Sequence, residues 1–419
     1  MFRYGYKVQQ RAEKTGFVAV ILFLLSACMQ TLKAQSATQT VDSLVNMGYE
    51  NVSWHENEEE RIYVLENVAS RLSTTGIGEA VGMITRKGLP EHKTCRIVFL
   101  DNNIPQLSLV YRPVVADSLI GKPVVTPEWK TTADVGTGWR QAVRSGVRNS
   151  SLFKVDLVIY PELMLKNLII TQIYQVLFNL SPAIEISLWK GMKLTAQMVF
   201  PVYNDGYGTR LGKIHPGFLA AQQTVRLPYN IWTTLAVGAF NNERYGADLR
   251  VRHTLIWDER FSLEGRIGLT ATYRWDGFSC SYGTARRLTW SLGAGFYWPR
   301  YNVQTTLKAE QYLLGEKGAR LDIIRHFKHA SVGFYAMKAQ GARANGGFRI
   351  QVALPPYRYK RRGYIPRVLP SKNMGIAYNA GNERFYYQNY RVSPADNMMQ
   401  ENAYNPYFIN SYLLTNFNY

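Results

Sequence analysis

From Leu263 to Trp275 the chain alternates without a break. Leu263, Gly265, Ile267, Leu269, Ala271, Tyr273 and Trp275 are apolar or small, while Glu264, Arg266, Thr270, Thr272 and Arg274 are polar. A period of two held this long is an extended strand with one apolar and one wet face. Arg287 to Trp298 repeats the pattern, with Leu288, Trp290, Leu292, Ala294, Phe296 and Trp298 on one side. Strands of roughly ten or more residues with aromatics at their ends are the units of a transmembrane β-barrel.

The same dyad governs the chain from about residue 153 to 354. Ile184, Ile186 and Leu188 alternate with Glu185 and Ser187; Leu249, Val251 and His253 alternate with Asp248, Arg250 and Arg252. Further strands are expected at 218–227, 230–240, 301–310, 317–327, 329–338 and 346–354, with closing strands at 374–378 and 385–390. At twelve to sixteen residues per strand and turn, this length gives about 12–16 strands, enough to enclose a lumen. The fold expected is mainly β, a transmembrane antiparallel barrel over 153–390 with an aromatic, Asn-rich tail over 391–419. Before it, 35–112 reads as a small α/β unit of order α-β-β-α-β-β, a two-layer sandwich. Residues 113–152 lack periodicity and read as a linker or a plug in the barrel mouth.

The first 34 residues read as an export signal. Arg3, Lys7, Arg11 and Lys14 precede the apolar run Gly16 to Ala27, which is short for a spanning helix. Cleavage after Ala34 fits an A-x-A-like site, whereas Leu25-Ser26-Ala27-Cys28 has the form of a lipobox that would make Cys28 a lipidated N-terminus. No other segment has about eighteen uninterrupted apolar residues. The formal charge is +19, and the leader's five Lys/Arg and one Glu leave +15 beyond it. Its arginines are spread through strands and turns, so a nucleic-acid partner is not expected; acidic polymers and anionic lipid headgroups fit better. The densest basic run, Arg358-Tyr359-Lys360-Arg361-Arg362, reads as a membrane-proximal anchor or solvated loop. Cys95 and Cys280 are expected to be two inert thiols.

The chain has no G-x-S-x-G elbow, Walker loop or paired-histidine helix. His326 and His329 lack two further ligand candidates for a metal, and Glu56, Glu58, Glu59 and Glu60 have the spacing of a solvated hairpin tip. An enzyme, a cofactor and a metal are therefore not expected. With the aliphatic faces in lipid, Glu185, Lys193, Asp248, Arg250, Arg252, Glu264, Arg266 and Arg274 point into the lumen, because a charge on the lipid face costs about 2–4 kcal/mol at mid-membrane. There they either pair to rigidify the wall or form a polar track for a hydrated or acidic polymer. Tyr273, Trp275, Trp290 and Trp298 read as outer girdle aromatics.

Several short motifs resemble the YjbH-type (GfcD-like) exopolysaccharide outer-membrane proteins. Gly48-Tyr49-Glu50-Asn51-Val52 followed by Leu65-Glu66-Asn67 looks like that family's G-[aromatic]-x-N-V … E-N element. Tyr312 to Gly318, Arg325-His326-Phe327, Val332 to Tyr335 and Gly346 to Ile350 resemble its late hairpins. Val68-Ala69-Ser70-Arg71 departs from the family's more basic, aromatic run. The resemblance implies a Gram-negative outer-membrane barrel that assists export or assembly of a capsule or exopolysaccharide, with the small domain in the periplasm and other envelope export proteins as partners. The competing expectation is a structural or adhesive barrel without transport activity.

Overall fold

A computed structural model of the chain describes residues 36–112, 129–168, 172–355, 358–379 and 388–413. The leader, both cleavage readings, Cys28 and residues 113–128 lie outside the described residues.

The small domain is a five-stranded sheet in the order β1 (Glu50–Glu56), β2 (Glu60–Glu66), β3 (Thr94–Asp101), β4 (Ile104–Tyr111) and β5 (Trp129–Thr132). Only β2 and β3 run parallel, because helix α2 (Ser73–Lys87) carries the chain across between them. Tyr63, Leu65, Ile97 and Phe99 pack against α2 and the first helix, α1 (residues 36–47). Their neighbours Ile62, Val64, Val98 and Leu100 pack on the opposite face against Val135 and against Ala142 of α3 (Trp139–Arg144). Strands covered on both faces carry continuous apolar runs, as β2 and β3 do. Here the structure corrects two expectations. The domain has three layers, and residues 129–144, expected to be linker or plug, complete its sheet and cover its second face.

Among the described residues the large sheet has 15 strands. It runs through β6 (Val155–Leu168), β7 (Gln172–Ser187), β8 (Met192–Asp205), β9 (His215–Leu227), β10 (Ile231–Phe240), β11 (Arg244–Thr254) and β12 (Phe261–Asp276). A short β13 (Ser279–Tyr282) folds back on the end of β12. The path continues through β14 (Arg287–Trp298), β15 (Val303–Gln311), β16 (Lys317–His326), β17 (Ala330–Ala339), β18 (Asn345–Ala353) and β20 (Asn373–Asn379). All these neighbours are antiparallel, in unbroken register across pairs such as β10–β11 and β11–β12. At the other end of the path, β19 (Arg367–Pro370) runs parallel to β6. Only Ser371 and Lys372 separate β19 from β20, and the Ser371 amide donates to Ile159 O at 2.8 Å. The sheet therefore curls until its two edges meet at residues 367–379. Among the described residues no ladder joins β6 directly to β20. The strand expected at 385–390 falls partly outside the described residues, and 388–390 are not in a strand.

Hairpin geometry sends alternate turns to opposite ends of this curled sheet. The small domain lies against one end. The Gly191 amide donates to Asn102 O at 2.9 Å, Arg226 Nη1 to Pro105 O at 3.1 Å, and Glu259 Oε1 accepts from the Ala133 amide at 3.0 Å. The basic run joins the two bodies, which corrects its reading as a solvated loop. Arg361 is buried between Glu50 (3.1 Å) and Asp156 (2.5 Å), while Arg358 pairs with Glu79 at 3.3 Å.

The tail passes through the interior. At the far end Leu313 N donates to Gln388 O at 3.1 Å, and Asn242 Nδ2 bonds Asn389 O. The chain then forms α4 (Met398–Asn402), whose first turn is capped by Asn397 accepting from the Gln400 amide, and α5 (Pro406–Leu413). At the near end Ile409 and Leu413 are built into the core of the small domain. Among the described residues the element filling the sheet is thus the tail, 388–413, whose last described turns are helical. The final residues, 414–419, lie outside the described residues.

Candidate functional site in the interior of the sheet

Strands β11 and β12 send one side chain in two inward, and the cross-strand register brings the polar ones together. Asp248 is the centre. Its carboxylate, with no exposed side-chain surface, accepts from Arg250 Nε at 3.1 Å, Arg266 Nε at 2.7 Å and Tyr390 Oη at 2.7 Å. Arg250 reaches on to Asp396 at 3.0 Å, and Arg266 Nη2 donates to Tyr390 O at 3.0 Å. The Arg266 guanidinium also lies over the Tyr390 ring, 4.4 Å from its centroid. The other side of that ring field is Phe240, stacked at 5.5 Å and 7°. Gly268 makes the seat: a Cβ there would stand 1.8 Å from the Tyr390 hydroxyl, so no other residue leaves room for it. Three of the lumen candidates thus converge on the tail.

The remaining candidates are distributed. Glu185 accepts from Tyr160 Oη at 2.5 Å and pairs with Lys193. Glu264 pairs with Lys308. Arg252 stacks on Trp232 at 4.8 Å, with Arg226 on the same ring at 4.5 Å, where the sheet meets the small domain. Arg274 does not join the interior set. It lies beyond the last β11–β12 pair, at the far rim, with 65% of its side chain exposed and Glu243 at 3.3 Å. Among the girdle aromatics, Tyr273 is buried and donates to Phe240 O at 2.7 Å, so it takes no part in an outer belt. Trp298 is exposed, and Trp290 is half-buried with its indole N–H on Gln311.

A second charged knot went unlisted by sequence reasoning although the same dyad contains it. Asp322 accepts from Arg320 at 2.8 Å and from Arg349 at 2.6 Å, and Arg320 covers Tyr335 at 4.4 Å. Its signal was the alternation of Arg320 and Asp322 with Leu321 and Ile323. His326 is inward too, bonded to Ser331 Oγ at 2.8 Å and Gln304 Oε1 at 3.2 Å, and packed on Phe408 of the tail. No group of three or more metal-ligating side chains occurs among the described residues.

The motif residues at the small domain form the joint to the sheet. Asn51, held at φ +54°, donates to Glu66 at 2.5 Å and to Ser151 Oγ at 2.8 Å. Glu50 binds Lys154 and Arg361, both at 3.1 Å. Glu66 accepts from the amides of Asn102 (2.7 Å) and Asn103 (3.1 Å), which hold the β3–β4 turn against the sheet. Burial, with Asp101 nearby, pushes the Glu66 carboxyl up to about 7 against the pull of these donors. Burial also raises the Cys95 thiol well above its ordinary value, which keeps it an unreactive packing group.

No protein-family model matches the chain and no curated protein matches its sequence. Among solved structures, two mutants of Rh. blastica porin are similar at 11% identity, covering 54% of this chain and 98% of theirs, with TM-scores of 0.29 and 0.28. A structure titled "Asymmetric conductivity of engineered proteins" matches at 11% identity and a TM-score of 0.28, over 54% of this chain and all of its own.

Proposed function

We propose that this chain is an outer-membrane β-barrel, with its small domain in the periplasm, that assists export or assembly of an exopolysaccharide beside other envelope proteins. One observation carries the membrane part: the outward face of the large sheet is apolar and bare. Leu249, Leu235, Val237, Phe334 and Leu292 keep between 36% and 63% of their surface exposed, while Asp248 and Arg250, on either side of Leu249, belong to the inward charged cluster described above. A soluble monomer rarely keeps so extended an apolar surface, and lipid contact removes its cost. The sheet's edges approach each other at residues 367–379, where β19 pairs with β6, and a membrane barrel requires its edges brought together because lipid cannot satisfy open backbone groups.

The polysaccharide part rests on the resemblance of Gly48 to Val52 and Leu65 to Asn67, residues that hold the joint between the two bodies. A two-signed polar interior suits a hydrated polymer. Deleting the gene and staining surface polysaccharide tests it: loss that returns on complementation is expected, and unchanged polysaccharide sinks it. The filled interior favours a second reading, a structural or adhesive barrel, which predicts an assembled protein with no polysaccharide phenotype.

A further inference from the structure

The seam where the sheet's edges meet is weakly sewn. The β6–β19 ladder spans four residue pairs, from Arg367↔Asp156 to Pro370↔Ile159. Pro161 and Pro370 have no amide hydrogen to give, so pairing stops there. The interruption opens an outward groove of about 290 Å³, lined by Ile159, Pro161, Leu180, Leu354, Val368 and Pro370 among others, all apolar.

The chain enters β19 through a tight turn in which the Ile365 amide donates to Arg362 O at 3.1 Å and Gly363 takes φ +58°. Of the basic run before it, Arg358 and Arg361 are spent on Glu79, Glu50 and Asp156. Lys360 and Arg362 are exposed and form no ion pair with the described residues. Tyr364 and Ile365 beside them are also exposed. Basic and aromatic residues in the turn that leads into β19, one wall of the apolar cleft, are the composition that meets a bilayer's headgroup layer.

We infer that this seam binds an anionic phospholipid, with one acyl chain in the groove and the phosphate on Arg362 and Lys360. The inference rests on the membrane reading above. The turn lies at the small-domain end of the sheet, so the lipid belongs to the leaflet on that side. Charge complementarity selects the headgroup: two unpaired cations stand where a zwitterionic lipid offers no net charge.

The test uses the full chain in vesicles of equal phosphatidylglycerol and phosphatidylcholine, with a photoreactive benzoylphenylalanine at position 368 or, as control, at position 292. Adducts at 368 should favour phosphatidylglycerol roughly tenfold, and Lys360→Gln with Arg362→Gln should abolish the preference. Adducts at 292 should form with both lipids in proportion. Equal adducts at 368, no adduct there, or a preference that survives the double substitution overturns the site. Absence of any lipid adduct at 292 overturns the membrane reading itself.

Discussion

The Tyr390 hydroxyl donates to Asp248 Oδ2 at 2.7 Å, joining the tail to the wall across 142 positions of sequence. Asp248 also neutralises Arg250 and Arg266, so it sets the charge balance of that part of the interior. Asp248→Ala leaves two inward arginines without their shared acid and should destabilise the barrel by about 3–5 kcal/mol. Tyr390→Phe removes one hydrogen bond to a charged group and should cost about 1.5–3 kcal/mol. Unfolding midpoints in detergent, read by the mobility of unheated and heated samples, check both. A Tyr390→Phe loss as large as that of Asp248→Ala would refute the ranking.

A tail that fills the interior should block conduction. Removing residues 388–419 is expected to raise single-channel conductance in planar bilayers several-fold above that of the full chain. Because Ile409 and Leu413 belong to the small domain's core, truncation also weakens that domain. Ile409→Ala is the milder companion: it loosens the anchor by about 2–5 kcal/mol and should produce brief openings. Identical recordings from all three proteins would show that the tail does not control the lumen.

The strands were legible because a period of two states both the element and its faces. The expected spans at 230–240, 317–327 and 329–338 fall within one residue of β10, β16 and β17. Asp248, Arg250 and Arg266 could be assigned inward on the same ground. The tail's path was not legible. Tyr390, Asp396 and Phe408 sit in irregular chain and short helices, where no periodicity marks a buried side, and their partners lie on strands more than eighty residues away. Trp129–Thr132 was missed for a related reason: four residues are too few to display alternation, and only pairing with β4 makes them a strand. Arg361 and Arg362 adjoin in sequence, yet one is buried in an ion pair and the other is exposed. Composition cannot separate them.

Arg361 should act as a rivet between the two bodies. With 3% of its side chain exposed, it bridges Glu50 of the small domain and Asp156 of β6. Arg361→Gln keeps some hydrogen bonding but loses the charge, while Lys154 and Arg367 continue to hold the two acids. The expected loss is about 1–3 kcal/mol, felt at the joint and not in either core. Limited proteolysis should then cut within residues 358–366 faster than in the parent protein, with the small domain's melting unchanged.

Opposite faces of one strand should respond oppositely to charge. Leu249 and Arg250 are neighbours on β11, the first bare on the outward face and the second bound to Asp248 and Asp396. Leu249→Arg should destabilise the folded protein in bilayers by about 2–4 kcal/mol and be nearly neutral if that face meets water. Comparing denaturant midpoints in lipid vesicles gives the answer directly, and a neutral result in lipid would remove the support for a membrane-facing belt.

Glu66 gives the small domain a pH dependence of predictable sign. Its folded-state carboxyl sits at about 7, raised first by burial and then by Asp101, whereas an unfolded glutamate titrates near its ordinary value of about 4.3. Between those two values the folded protein holds a proton that the unfolded chain has released. Stability is therefore greatest below the lower value and falls as pH rises towards 7, by about 4 kcal/mol in total, after which this group adds no further slope. Glu66→Gln cannot titrate; its single oxygen serves one of the Asn102 and Asn103 amides, which Glu66 meets with separate oxygens, so it carries a constant cost that does not change with pH. The difference between the two proteins, followed by tryptophan fluorescence melts from pH 4 to pH 8, isolates Glu66 from Glu56, whose carboxyl is lowered by Arg61 and Lys93 and which stabilises in the opposite direction. The parent should lose its advantage over Glu66→Gln steadily across that window; parallel curves would mean that the three hydrogen bonds, not burial, govern the carboxyl.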